Sequence, residues 1–294
     1  MKIASLFVLL SSLLLIACEQ QNPEQQAIAT LEKQLGSQPS EVLANELNGL
    51  YLDYLNQYPD DTDTHARYLY RAAALEYRMD RYSGAASLLK MLITDYRNHP
   101  LAAEGAHLLA SIYEEKLQSP EIAQTIFQVF AQAFPNYKDL ADIQAKIETT
   151  PLDERLTALY QGVFDQATGS LNPVTGNHYI QSVENLAILL PSYPGAPELL
   201  LKAAETARTM RSFNKTLELY NQILLTFPDY EKAPQIKFLE AFTLDNDLKQ
   251  YELAKTKYEA FLAAYPDHEF ADDTRFLLEN LGKTDEDIIK NFEK

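Results

Sequence analysis

The chain has 294 residues, and 25 Lys plus Arg stand against 42 Asp plus Glu, a formal net charge of −17. That length holds about two compact domains of roughly 150 residues, or one long repeat array, and 46% apolar residues suffice for a substantial core. The acidity argues against nucleic-acid binding, nine glycines leave little for phosphate-cradling loops, and one cysteine permits neither an intramolecular disulfide nor a cysteine zinc site.

Lys2 supplies one positive charge, Ile3 to Ala17 is apolar or small, and the single cysteine follows. About fifteen residues falls short of the roughly 20 that a bilayer span needs. A charged start, an apolar middle and a small-residue end are the order of a secretory signal. Leu15-Ile16-Ala17-Cys18 resembles the lipobox of bacterial lipoproteins. The resemblance implies cleavage before Cys18, acylation of that residue, and a domain held to a lipid bilayer by its acyl chains. It also implies the outer membrane, facing the periplasm, because no Asp follows the cysteine. Residues 1–17 therefore read as a signal peptide and the polar stretch 18–26 as a flexible tether. Loss of Lys2 on cleavage would leave 24 basic against 42 acidic residues, a net −18.

Beyond the tether, an aromatic residue followed by proline recurs at Tyr58-Pro59, Phe134-Pro135, Tyr193-Pro194, Phe227-Pro228 and Tyr265-Pro266, and Tyr96-Arg97 fits the slot without proline. A small residue sits twelve positions before the proline and a large one eight before, as in Ala123/Phe127, Thr216/Tyr220 and Ala254/Tyr258. This pattern resembles the tetratricopeptide repeat. It implies an all-α fold, a right-handed solenoid of helical hairpins in which the small residue lets two helices approach and proline ends the second. The best copies cover 66–97, 103–135, 197–228 and 234–266, with Asn246 to Gln250 read as a lengthened turn. Ser119 to Pro135 also aligns with Gln250 to Pro266 at an offset of 131, so the array is internally duplicated. Residues 27–148 form a first unit, 149–154 a connector, 155–281 a second unit, and 282–294 a polar capping helix. The second unit differs by a loop at Gln166 to Asn177.

Chemistry is sparse. No nucleophile-elbow, glycine-rich phosphate, dinucleotide or zinc-helix motif is present. Asp60-Asp61-Thr62-Asp63 lacks the glycine and terminal Glu of a calcium loop and reads as a helix cap, and His268-Glu269 reads as a turn and cap. No catalytic residue, metal or cofactor is expected, and the chain reads as a non-enzyme. Groove positions carried over from the resembled repeat fall on Arg67, Tyr70, Tyr77, Arg78, His107, Glu114, Glu205 and Arg208, with Tyr and Arg favoured at binding hot spots. The expected function is a lipid-anchored scaffold for an envelope protein or peptide segment, similar in type to the lipoprotein subunit of the outer-membrane barrel-assembly machinery. A surface nutrient- or glycan-binding lipoprotein is the alternative.

Overall fold

A computed structural model describes residues 22–283. The signal peptide, Cys18 and all but the first two residues of the expected capping helix lie outside the described residues. Among those described, every regular element is a helix; the one β-type pairing is an isolated bridge between Phe164 and Leu171. The chain divides into two compact units, one ending at Tyr68 and one starting at Leu69.

The N-terminal unit holds α1 (Pro23–Ser37), α2 (Glu41–Gln57) and the opening turns of α3 (Thr62–Arg78). The Asn22 side chain accepts the Gln25 N–H at 2.8 Å and Pro23 fills the first helical position, so α1 begins there. Residues 23–26, expected in the tether, are thus its first turn. Ile28 and Leu31 pack the hairpin against Ala44, Leu47, Tyr51 and Tyr54. The ring of Tyr68 lies 5.0 Å from Tyr54 and 5.1 Å from Tyr51, within the range favoured by aromatic pairs. Asp61 accepts the Thr64 N–H at 3.2 Å, which makes the acidic run a cap, as read from the sequence.

From Leu69, α3 continues to Arg78 and is followed by α4 (Tyr82–Asp95), α5 (Pro100–Ser111), α6 (Pro120–Ala133), α7 (Leu140–Ala145), α8 (Leu152–Gln161), α9 (Pro173–Leu189), α10 (Ala196–Thr209), α11 (Phe213–Thr226), α12 (Ala233–Phe242), α13 (Tyr251–Ala264) and α14 (Ala271–Glu279). Successive helices pack as hairpins: α4 on α5, α5 on α6, α10 on α11, α12 on α13. This is a tetratricopeptide-like hairpin array. Ala85, Ala123, Thr216 and Ala254 are at most 1% exposed, as are Phe127, Tyr220 and Tyr258, so the small and large positions do the packing the pattern assigned them. Thr216 stands where alanine was expected because its hydroxyl donates to the Ser212 carbonyl at 3.2 Å and so is not left bare. Between the hairpin pairs runs α9, against α6, α10 and α4, with ten buried residues. Gly176 faces the C-terminal end of α10, where an added Cβ would come within 2.5 Å of the Met210 sulfur and displace that flexible side chain.

The offset of 131 holds well past the aligned strings. Helices α4 and α11 match it at both ends, as do α6 and α13. Two π-helical turns, Ile112–Lys116 after α5 and Thr243–Asp247 after α12, stand 131 apart. So do the left-handed residues Asp80 and Arg211, and Gln118 and Lys249. The expected turn over Asn246 to Gln250 therefore begins with the last two residues of a π segment and continues through Leu248 to Gln250 outside it, an arrangement present in both copies.

A second correction concerns the aromatic-proline marks. Tyr58, Tyr96, Phe134, Phe227 and Tyr265 are helix C-caps, but α9 is capped by Leu190, followed by Pro191. Tyr193 instead donates its N–H to the Leu190 carbonyl, as Tyr137 does to Phe134 and Tyr230 to Phe227. Caps then fall 37 or 38 residues apart within each copy. The expected loop Gln166 to Asn177 also runs too far, because Asn172 caps α9 and residues 173–177 are helical. What precedes them is ordered: the Asp165 carboxylate accepts the Thr168 N–H at 2.7 Å and the Ala167 N–H at 3.1 Å.

Candidate functional site

The first helices of the hairpins in the Leu69-onward unit carry most of the charged and aromatic side chains singled out by sequence. In the first copy, the Tyr137 hydroxyl donates to Glu104 Oε2 at 3.0 Å and also meets His107 Nδ1 at 3.0 Å. Lys138 pairs with Glu104 at 2.9 Å. The Lys138 hydrogen bond, helped by Tyr137, holds the Glu104 carboxyl below its ordinary range against some burial. Burial, then Glu104, drives the Tyr137 phenol well above its own. Tyr70 is half-buried beside this group, its phenol raised by burial and by Glu104. Another turn tyrosine, Tyr230 after α11, donates to Glu198 at 2.5 Å while Lys232 pairs with Glu198 at 2.7 Å. Tyr193 makes the same kind of bond to Asp153. A turn tyrosine bonded to an acid on the preceding first helix is thus a recurring fastening of the array.

At the far end of the same helices the two copies diverge. Lys116, last residue of the first π turn, lies 5.6 Å from the Tyr77 ring and 5.8 Å from Tyr82, whose rings pack at 5.5 Å. The equivalents 131 residues on are Asp247, Arg208 and Phe213. Here Arg208 Nε donates to Asp247 Oδ2 at 2.7 Å, and the guanidinium lies 5.1 Å from the Phe242 ring. A π turn thus sets a charged residue against the end of the preceding first helix in both copies, which an α-helical register would place differently.

The second copy keeps an open cavity of about 480 Å³ at this place. Arg208, Arg211, Glu205 and Asp247 bring charge to it, and Phe213 and Leu239 form apolar wall. Burial and the neighbouring Glu198 raise the Glu205 carboxyl above its usual range. Arg208 is fixed in position by Asp247 and Phe242, so its orientation is settled before any ligand arrives.

Of the eight expected groove residues, Glu205 and Arg208 share this cavity, and Tyr70 and His107 share the Glu104–Tyr137 cluster. Tyr77 holds Lys116, and Glu114 pairs with Lys146 at 2.7 Å. Arg78 is exposed. Arg67 belongs to the N-terminal unit and pairs with Asp63 at 2.6 Å. Sequence reasoning missed Glu104, Tyr137, Lys138, Asp247 and Arg211. The Tyr137 signal was present, as a tyrosine two residues after the proline at Tyr137, Tyr193 and Tyr230. Among the described residues no group of three His, Cys, Asp or Glu could hold a metal ion.

Residues 67–99 match the family described as the tetratricopeptide repeat, over the first of the four copies found in the sequence. A solved structure described as the TPR2AB-domain:pHSP90-complex of yeast Sti1 is similar at 14% identity, covering 87% of this chain and 97% of that one, with a TM-score of 0.33. No curated protein matches the chain.

Proposed function

We propose that the protein is a non-enzymatic scaffold for protein–protein interaction. Its first-helix face receives a segment of another protein, and a lipidated Cys18 holds it to a membrane of a bacterial cell envelope. The observation that carries the reading is the cavity of about 480 Å³ in the second copy, with a pinned guanidinium, an aromatic wall and a rim of both charges. Such a combination suits an extended or helical peptide more than a reacting small molecule. The repeat at 67–99 supports the scaffold class, since hairpin arrays of this type offer long lateral surfaces. The lipobox-like Leu15-Ile16-Ala17-Cys18 supports the anchor, and the outer membrane facing the periplasm is the placement it favours. In type this is the part played by the lipoprotein subunit of the barrel-assembly machinery.

A photo-crosslinking residue placed at Arg208 in intact cells tests the groove, with the exposed α13 position Glu259 as control. Discrete adducts to an envelope protein at Arg208, absent at Glu259 and lost on Asp247→Lys, are expected. Equal labelling at the two positions removes the groove as a binding surface.

A further inference from the structure

The acidity of this chain is unevenly placed. Residues 22–68 hold eight carboxylates and two cations, Lys33 and Arg67, and Arg67 is already paired with Asp63. Residues 69–283 hold 29 acidic and 20 basic residues, so the N-terminal unit carries −6 over 47 positions while the much longer remainder carries −9. Within that acidic unit, a cavity of about 450 Å³ opens between α1 and α2. Leu50 gives it an apolar wall over the buried Ile28, Glu24 and Asp53 bring carboxylates, and Asn56 and Gln57 bring amides. Glu24 is oriented by the Tyr58 hydroxyl, which donates to its Oε2 at 2.6 Å. The Asp53 side chain is exposed and makes no hydrogen bond or ion pair among the described residues.

We infer that this cavity is a docking site for a lysine- or arginine-bearing segment of a partner protein. The methylene stem of such a side chain lies along Leu50 while its cationic head meets Glu24 and Asp53. A bare divalent cation fits less well, since the cavity gathers only two carboxylates and no group of three His, Cys, Asp or Glu among the described residues could hold a metal ion. Charge complementarity chooses the occupant. The Tyr58 hydrogen bond keeps Glu24 ionised to lower pH than an ordinary glutamate, so its share of the attraction persists in mild acid. The site rests on no part of the second-copy groove.

The test titrates the full chain, isotope-labelled, with blocked hexapeptides of sequence Ala-Leu-Lys-Leu-Ala-Ala and its norleucine counterpart, following backbone amide shifts. The lysine peptide is expected to move amides of residues 24–28 and 50–57, and the norleucine peptide to bind about two- to fivefold more weakly, the scale of an exposed ion pair. Asp53→Asn, which breaks no contact of the fold, should weaken the lysine peptide by a similar factor, and Glu24→Gln likewise once its melting curve is matched. Equal binding of the two peptides overturns the proposal. So do shifts that map elsewhere, no shifts at millimolar peptide, or displacement by spermidine with no contribution from the flanking leucines.

Discussion

Glu184 of α9 accepts from Lys90 of α4 at 2.7 Å and from Lys215 of α11 at 2.6 Å, with 12% of its side chain exposed. Burial alone would raise its carboxyl, but the two ammonium groups outweigh that and hold it below the ordinary range. Lys90, opposed by burial and favoured by Glu184, ends above the usual lysine range. Breaking such a group leaves charges buried without a counterion, so Glu184→Gln should cost about 3 kcal/mol in urea unfolding near neutral pH. Replacing Lys90, Glu184 and Lys215 together by Met should cost far less, because desolvation disappears with the charges. The pH sign follows from the depressed carboxyl. Its stabilisation is complete above the ordinary glutamate range and is lost as pH falls through the lower, folded value, so the wild-type advantage over Glu184→Gln should fade on acidification. Nothing in the sequence announced this group, because Lys90 and Glu184 are 94 residues apart and helical periodicity reports one helix at a time. Arg208 and Glu205 were legible, as they follow from the register of a single first helix. Arg97 explains another departure: where other turns have proline, its guanidinium donates to the Leu189 carbonyl at 2.5 Å and to the Ile188 carbonyl, satisfying the end of α9.

At the scale of elements, the duplication was readable from the α6 and α13 strings, yet the spacing within each copy was not. Tyr193-Pro194 looks like the other aromatic-proline pairs, but a proline ring disfavours helix at whatever residue precedes it, aromatic or not, and Leu190-Pro191 meets that condition three residues earlier. Aromatic identity misled where backbone sterics decide. The π turns were invisible for a related reason: they insert a residue without changing which residues are apolar, and so leave the hydrophobic pattern intact. Each is followed by a non-glycine residue in the left-handed region, Gln118 at φ 50° and Lys249 at φ 57°. That conformation costs about 1–2 kcal/mol for a residue with a Cβ, partly offset by the extra unfolded-state freedom that glycine brings. Gln118→Gly and Lys249→Gly should therefore each raise stability by about 0.5–1 kcal/mol in chemical denaturation, while Val at the same positions should lower it. If glycine destabilised both sites, the backbone there would not be under strain.

Over the whole molecule, net charge governs how the fold responds to its surroundings. At −17 the carboxylates repel one another in the compact state more than in the unfolded chain, so raising salt from about 20 mM toward about 200 mM, where the screening length drops below roughly 10 Å, should raise the melting temperature. The same charge constrains how the protein can be held at a membrane. Among the described residues no helix is long and apolar enough to cross a bilayer. A net-acidic chain gains nothing from anionic headgroups, whose attraction for basic segments is about 1 kcal/mol per Lys or Arg. On the proposed reading the acyl chains on Cys18 then carry the whole attachment, each buried methylene contributing about 0.8 kcal/mol. Such an anchor has two signatures that peripheral adsorption lacks. Membranes washed with about 1 M NaCl, which collapses the screening length to roughly 3 Å, should retain the protein fully, and detergent should release it. Cys18→Ser, with residues 1–17 replaced by a secretion signal that is cleaved without lipidation, should move it to the soluble fraction, because no helix among the described residues can cross the bilayer instead. Salt-sensitive release of the wild type, or a substantial membrane-bound fraction of Cys18→Ser, would mean that another surface carries the attachment and that Cys18 does not act alone.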